Sequence, residues 1–159
     1  MQKISRHKTR SCVFQALYSK IYLKDSFSKE SFVDSFFDEG SDFVDHKYFD
    51  EVFAGVQDNE TRLLYVINKY APRFDIGSMP TINIIPILIA GYEMLYIKCD
   101  TIPEKVSIDE ALELTKEFSD GAARSFVNGV LNSLKENKVS ILKEIEEIQN
   151  TNLFFPIHD

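Results

Sequence analysis

Cysteine and histidine are scarce in this chain of 159 residues, and no apolar run reaches the roughly eighteen residues that cross a bilayer. The longest apolar stretch, Ile82 to Ile97, is interrupted by Asn83, Pro86 and Glu93, so no membrane span is expected. The two cysteines, Cys12 and Cys99, are too few for a disulfide scaffold and are expected to be reduced core thiols. The three histidines stand far apart, and none is at ligand spacing with another His or Cys, so no metal site is expected. The basic N-terminus lacks the apolar core and small-residue cleavage site of a signal peptide, and the chain reads as cytoplasmic. There is no Gly-rich phosphate loop and no nucleophile elbow. The many carboxylates read as solvated helix faces, and neither a cofactor nor a catalytic residue is expected.

Acid is absent from the first 24 residues, which hold Lys3, Arg6, Lys8, Arg10, Lys20 and Lys24 for a charge of +6. The remaining residues carry 12 basic and 25 acidic side chains, a charge of −13, within a net of −7. A local anion-binding footprint on an acidic body follows from that asymmetry. The hydrophobic fraction of 44% suffices for a core.

The spacing predicts an all-helical chain with short connections and no strand. A first helix runs from about Ser5 to Leu23, with Val13, Leu17 and Ile21 inward and Phe14 and Tyr18 beside them. Ser26 to Ser28 starts a short second helix with Phe32, Val33, Phe36 and Phe37 inward, ended by Gly40. Asp45 caps a third, from His46 to about Val56. Asp58 or Asn59 begins a fourth, through Leu63, Leu64, Val66, Ile67 and Tyr70, closed by Pro72. A loop with Gly77 and Pro80 leads to a fifth helix from about Ile84 to Lys98, with Pro86 in its first turn.

Ser107 and Glu110 have capping-box spacing, with Val106 and Ala111 placed for a hydrophobic staple. Ile108, Ala111, Leu112, Thr115 and Phe118 form the buried stripe that follows, while Asp109, Glu110, Glu113 and Glu117 face away. After the breaker Ser119-Asp120-Gly121, a stripe of Phe126, Val127, Val130, Leu131 and Leu134 marks the next helix. Gly129 inside it costs about 1 kcal/mol against alanine and predicts a close backbone approach. Residues 135–149 continue helically with Ile141, Ile145 and Ile148 at helical spacing, before an apolar tail. Residues 1–134 are expected to form the domain, and 135–159 a helical extension and tail.

These residues carry a resemblance. The sequence from Val106 to Lys116 and, above all, Phe126-Val-Asn-Gly-Val-Leu131 resemble the C-terminal signature of the NusB family of bacterial transcription antitermination factors. Arg6, Arg10 and Gln15-Ala-Leu-Tyr18 resemble its arginine-rich first helix. Tyr48-Phe49, Ala54-Gly-Val56 and Gly91-Tyr-Glu-Met94 fit between. The resemblance implies a NusB-type bundle of about seven helices and a non-enzymatic factor of the transcription elongation complex. It further implies that the factor binds boxA-type single-stranded RNA of ribosomal RNA leaders, together with the small-subunit ribosomal protein that acts as NusE. NusB-like domains also occur fused to RNA methyltransferases; with no room for that domain here, a stand-alone factor is expected.

Lys3, Arg6, His7 and Arg10 fall within roughly a 100° arc of the first helix, placing four donors on one stripe able to meet successive phosphates. Basic charge at a helix N-terminus opposes the macrodipole, at about 0.3–1 kcal/mol per residue, which favours a functional reading over a merely solvated helix end. Tyr18 and Phe126 read from the residues alone as core aromatics. The resemblance implies instead that they stack on RNA bases, with Tyr70 and Phe118 bordering that face. The chain departs from the family pattern at Leu88, where an arginine is usual, and at Ala122, where an acidic residue is often found. The alternative function is a helical adaptor that binds proteins rather than RNA through its acidic surface and isoleucine-rich C-terminal helix.

Overall fold

A computed structural model describes residues 4–37, 43–119, 121–152 and 154–155. Among them are eight α-helices and no strand. In chain order these are α1 (Arg6–Leu23), α2 (Lys29–Phe37), α3 (His46–Asp58), α4 (Glu60–Tyr70), α5 (Thr81–Leu95), α6 (Glu104–Phe118), α7 (Arg124–Glu136) and α8 (Lys138–Ile145). Lys3, Gly40, Asp120 and the last four residues lie outside the described residues, as do the side chains of Phe36 and Phe37.

The centre of the fold is α5, around which α1, α3, α4, α6 and α7 pack. Its residues from Ile84 to Met94 are buried without exception, as expected of a helix that is apolar all round. Leu88 is wholly buried there. Two glycines let neighbouring helices come close. A Cβ at Gly55 of α3 would overlap the Tyr92 ring of α5, and one at Gly91 would lie 3.1 Å from Leu63 of α4.

Several boundaries match the sequence. Ser5 caps α1 by accepting from the Lys8 N–H at 3.2 Å, and Asp45 caps α3 by accepting from the Tyr48 N–H at 3.1 Å. Val127, Val130, Leu131 and Leu134 are the buried stripe of α7.

Other expectations are corrected. Helix α5 begins at Thr81, so Pro86 falls in its second turn rather than its first and deprives the Ile82 carbonyl of its usual donor. It ends at Leu95 rather than Lys98. Helix α6 starts at Glu104, three residues ahead of Ser107, which is therefore internal and not a cap. The Ser107 hydroxyl is buried and donates to Glu93 at 2.9 Å. Gly129 has no close approach: a Cβ there would meet nothing within 4 Å. The C-terminal helix breaks at Asn137, whose side-chain amide donates to the Ser133 carbonyl at 2.8 Å. Ile141 and Ile145 of α8 enter the core, with Ile148 beyond the helix and packed against it. Phe155 is buried too, and the Phe154 and Phe155 N–H groups donate to the buried Glu60 carboxylate at 2.8 and 2.9 Å. Cys12 is buried, but Cys99 is exposed and not a core thiol; neither forms a disulfide.

Candidate nucleic-acid interface

The N-terminal turns of α1 lie against α6, and the basic stripe meets carboxylates there and beyond. Arg6 donates to Asp45 at 2.8 Å and to Asp100 at 3.0 Å, and its guanidinium sits 4.5 Å from the centroid of the Tyr48 ring. Its side chain is 26% exposed. His7 Nδ1 lies 2.8 Å from Glu110, and Nε2 lies 3.8 Å from Glu117. Arg10 is turned inward, its side chain only 4% exposed. It donates twice to Glu93, at 2.7 and 3.0 Å, and lies 3.7 Å from Glu110. The hydroxyls of Tyr48 and Ser107 also donate to Glu93, so one buried carboxylate joins α1, α3, α5 and α6. The Thr101 N–H first, and then Arg6, hold the Asp100 carboxyl below the usual carboxylate range. Burial would raise Asp45, but bonds from Arg6 and the Tyr48 N–H outweigh it and leave it below its usual range.

Two guanidiniums and the His7 ring thus face five carboxylates: Asp45, Glu93, Asp100, Glu110 and Glu117. The charge asymmetry along the sequence is largely cancelled in space at this end of α1. Lys8 adds an ammonium 5.1 Å from the Phe43 ring. Lys3 lies outside the described residues.

The aromatic candidates fall into two grooves. Tyr18 and Phe118 come together in a groove of about 370 Å³ between α1 and α6, lined also by Phe14, Gln15, Ser19 and Ile82. The Phe14 and Phe118 rings stack at 4.1 Å and 5°, and Phe14 and Tyr18 lie 6.4 Å apart at 10°. Three rings therefore share nearly one plane orientation. Phe14 is buried beneath, while Tyr18 and Phe118 are half-buried and reach the surface.

Tyr70 and Phe126 come together in a second groove, of about 360 Å³, between α7 and the loop after α4. Arg73, Phe74, Gly129 and Val130 complete its walls and floor. Phe74 stands 48% exposed with its ring 4.8 Å from that of Phe126. Sequence reasoning passed over Phe74 because it lies in a loop, where no apolar periodicity singles out an aromatic; its one signal is an unexplained ring beside Arg73. The open floor at Gly129 gives that glycine a setting other than the helix contact expected of it.

Chemically, the grooves offer π-faces beside half-solvated polar groups, an arrangement suited to unstacked bases. Among the described residues no group of His, Cys, Asp or Glu could hold a metal ion, and no helix is long and apolar enough to cross a membrane.

Comparison with known proteins agrees with this architecture. The NusB family matches residues 7–136. The transcription antitermination protein NusB of Lactiplantibacillus plantarum is 30% identical over 139 residues, 86% of this chain and 99% of that protein. That of Staphylococcus aureus is 35% identical over 133 residues, 84% of this chain and the whole of the relative. The solved structure of T. maritima NusB superposes with a TM-score of 0.70 at 26% identity, covering 85% of this chain and 93% of that one. With its helices and sequence in agreement over most of its length, the chain belongs to the NusB family of transcription antitermination factors.

Proposed function

We propose that this chain is a cytoplasmic, non-enzymatic antitermination factor that binds boxA-type single-stranded RNA. It does so jointly with the small-subunit ribosomal protein acting as NusE, within the transcription elongation complex, and so supports ribosomal RNA transcription. The observation that carries the reading is the family match across residues 7–136. The two aromatic grooves support it, because RNA bases are commonly held on aromatic faces at roughly 1–3 kcal/mol each.

In this reading Tyr18 and Phe118 stack bases in one groove, and Tyr70 and Phe126 in the other. Lys3, Arg6 and His7 meet phosphates along the edge of α1. Arg10 serves the same stripe from within: its bonds to Glu93 fix the helix that carries Arg6, His7 and Tyr18. The carboxylates around the stripe make the free protein a weak RNA binder, and the ribosomal partner supplies contacts that the acidic body does not.

The ring of carboxylates is also what favours the second reading, a protein-binding adaptor. A filter-binding titration with boxA-type RNA, with and without the ribosomal protein, separates the two. The antitermination reading expects salt-sensitive RNA binding that tightens with the partner, and reciprocal tightening of the partner by RNA. Independent binding of the two would overturn the joint site, and absence of RNA binding in both mixtures would leave the adaptor.

A further inference from the structure

We propose that Gln15 reads the edge of a nucleobase held in the groove between α1 and α6, making it a specificity-determining residue of the RNA site. This rests on the RNA-binding reading and adds to it the group that tells one base from another.

Gln15 lines the groove beside Phe14, Tyr18 and Ser19 and is half-buried. Other polar residues of α1 have committed their side chains within the protein. Thr9 donates to the Ser5 carbonyl at 2.7 Å, Ser11 to Glu117 at 2.9 Å, and Lys20 to Gln57. No hydrogen bond joins the Gln15 amide to another described residue, and its polar atoms stay open to solvent at the groove wall. The amide functions, not taken up by the protein, are available to a ligand that brings a donor and an acceptor together.

A nucleobase is such a ligand. The near-parallel rings of Phe14, Tyr18 and Phe118 set the plane in which it stacks, and stacking is indifferent to sequence because every base has a π-face. Discrimination must come from the base edge, and a glutamine amide presents one acceptor and two donors to it. Aromatic rings hold the base, and Gln15 selects it.

The test uses the full chain and labelled boxA-type single-stranded RNAs in which each position is changed in turn to the other three bases, read by fluorescence anisotropy. The parent should discriminate between bases at one position by about 5- to 150-fold, the range of a bidentate side-chain contact. Gln15→Leu, which keeps bulk and loses both hydrogen-bonding functions, should level that position and leave preferences elsewhere intact. Gln15→Glu, nearly the same shape but acceptor-only, should redirect the position toward guanine, whose N1–H and N2–H groups are adjacent donors. The glutamate variant also decides the matter should the leucine variant fail to fold. Unchanged preferences at every position in both variants, or equal weakening of all RNAs, would overturn the role of Gln15 while leaving RNA binding in place. Failure of the parent to bind any of the RNAs, with the ribosomal protein present as well as without it, would instead overturn the RNA-binding reading, and this inference with it.

Discussion

Arg10 and Glu93 form a two-pronged ion pair between α1 and α5, with donor–acceptor distances of 2.7 and 3.0 Å and both side chains withdrawn from solvent. Buried pairs of this kind are costly to break because the surviving charge is left without its partner. Arg10→Ala should therefore lower the unfolding free energy by about 3–5 kcal/mol, seen as a lower urea midpoint at constant slope. Replacing both members, Arg10→Met with Glu93→Leu, should recover part of that loss. Recovery is incomplete because Tyr48 and Ser107 then lose their acceptor. An Arg10→Ala variant within about 1 kcal/mol of the parent would show that the pair is not what holds α1.

The inward turn of Arg10 also changes the expected salt dependence of RNA binding. Four exposed donors on single-stranded RNA would give a slope near −3 in log affinity against log salt, at about −0.7 per phosphate. Without Arg10 the slope should be closer to about −2. Arg6→Gln should flatten it by about one further phosphate. A parent slope unaffected by Arg6→Gln would mean that Asp45 and Asp100 occupy the guanidinium fully and that phosphates are met elsewhere.

The N-terminal half of this interface was visible in sequence as a row of cations, but its neutralisation was not. The hydrogen-bond partners of Arg6, His7 and Arg10 lie 39 to 103 residues away, and only the fold brings them together. Ser107 illustrates the same limit. A serine three residues before a glutamate satisfies the capping pattern, yet this serine faces a carboxylate on the preceding helix. By contrast, the ends of α1 and α3 were legible because their caps are local, set by a side chain and an amide three residues apart. The stripes of α6 and α7 were legible because burial repeats with the helical period. Tyr18 and Phe118 were placed on one face by resemblance, and their common groove is geometry that no periodicity encodes.

Cys99 offers a pH test of the joint between α3 and the end of α5. Glu51 accepts the N–H groups of Lys98 and Cys99 and the Tyr92 hydroxyl, each at 2.8 Å. Burial, and then the hydrogen bond and charge of Glu51, push the Cys99 thiol up to about 11 from an ordinary 9.0. Both effects favour the neutral thiol, so the thiolate that reacts with iodoacetamide forms late. Alkylation of Cys99 should therefore keep accelerating until about pH 11. Glu51→Gln should move the midpoint back toward 9.0. Cys12, buried and pushed up to about 12, should resist labelling in the folded protein. A midpoint indifferent to Glu51→Gln would leave burial and the Asp45 charge as the cause.

Phe74 and Phe126 share a ring contact but differ in what they support. Phe126 is half-buried against the core, while Phe74 is about half exposed with its ring 4.8 Å away. A fully buried Phe→Ala change costs about 3–5 kcal/mol of stability, whereas loss of one base stack costs roughly 1–3 kcal/mol of RNA affinity. Phe74→Ala should melt close to the parent and lose affinity in the stacking range, about 5- to 150-fold. Phe126→Ala should lose comparable affinity but also some stability, less than the full core value because Val127, Val130 and Leu131 keep α7 anchored. The double variant should bind no more weakly than the single effects summed, and less weakly if one base bridges both rings, since contacting residues couple by about 0.5–3 kcal/mol. Strict additivity would assign the rings to separate bases. Normal RNA affinity in both single variants would remove this groove from the interface and leave the one beside Tyr18 and Phe118 as the stacking site.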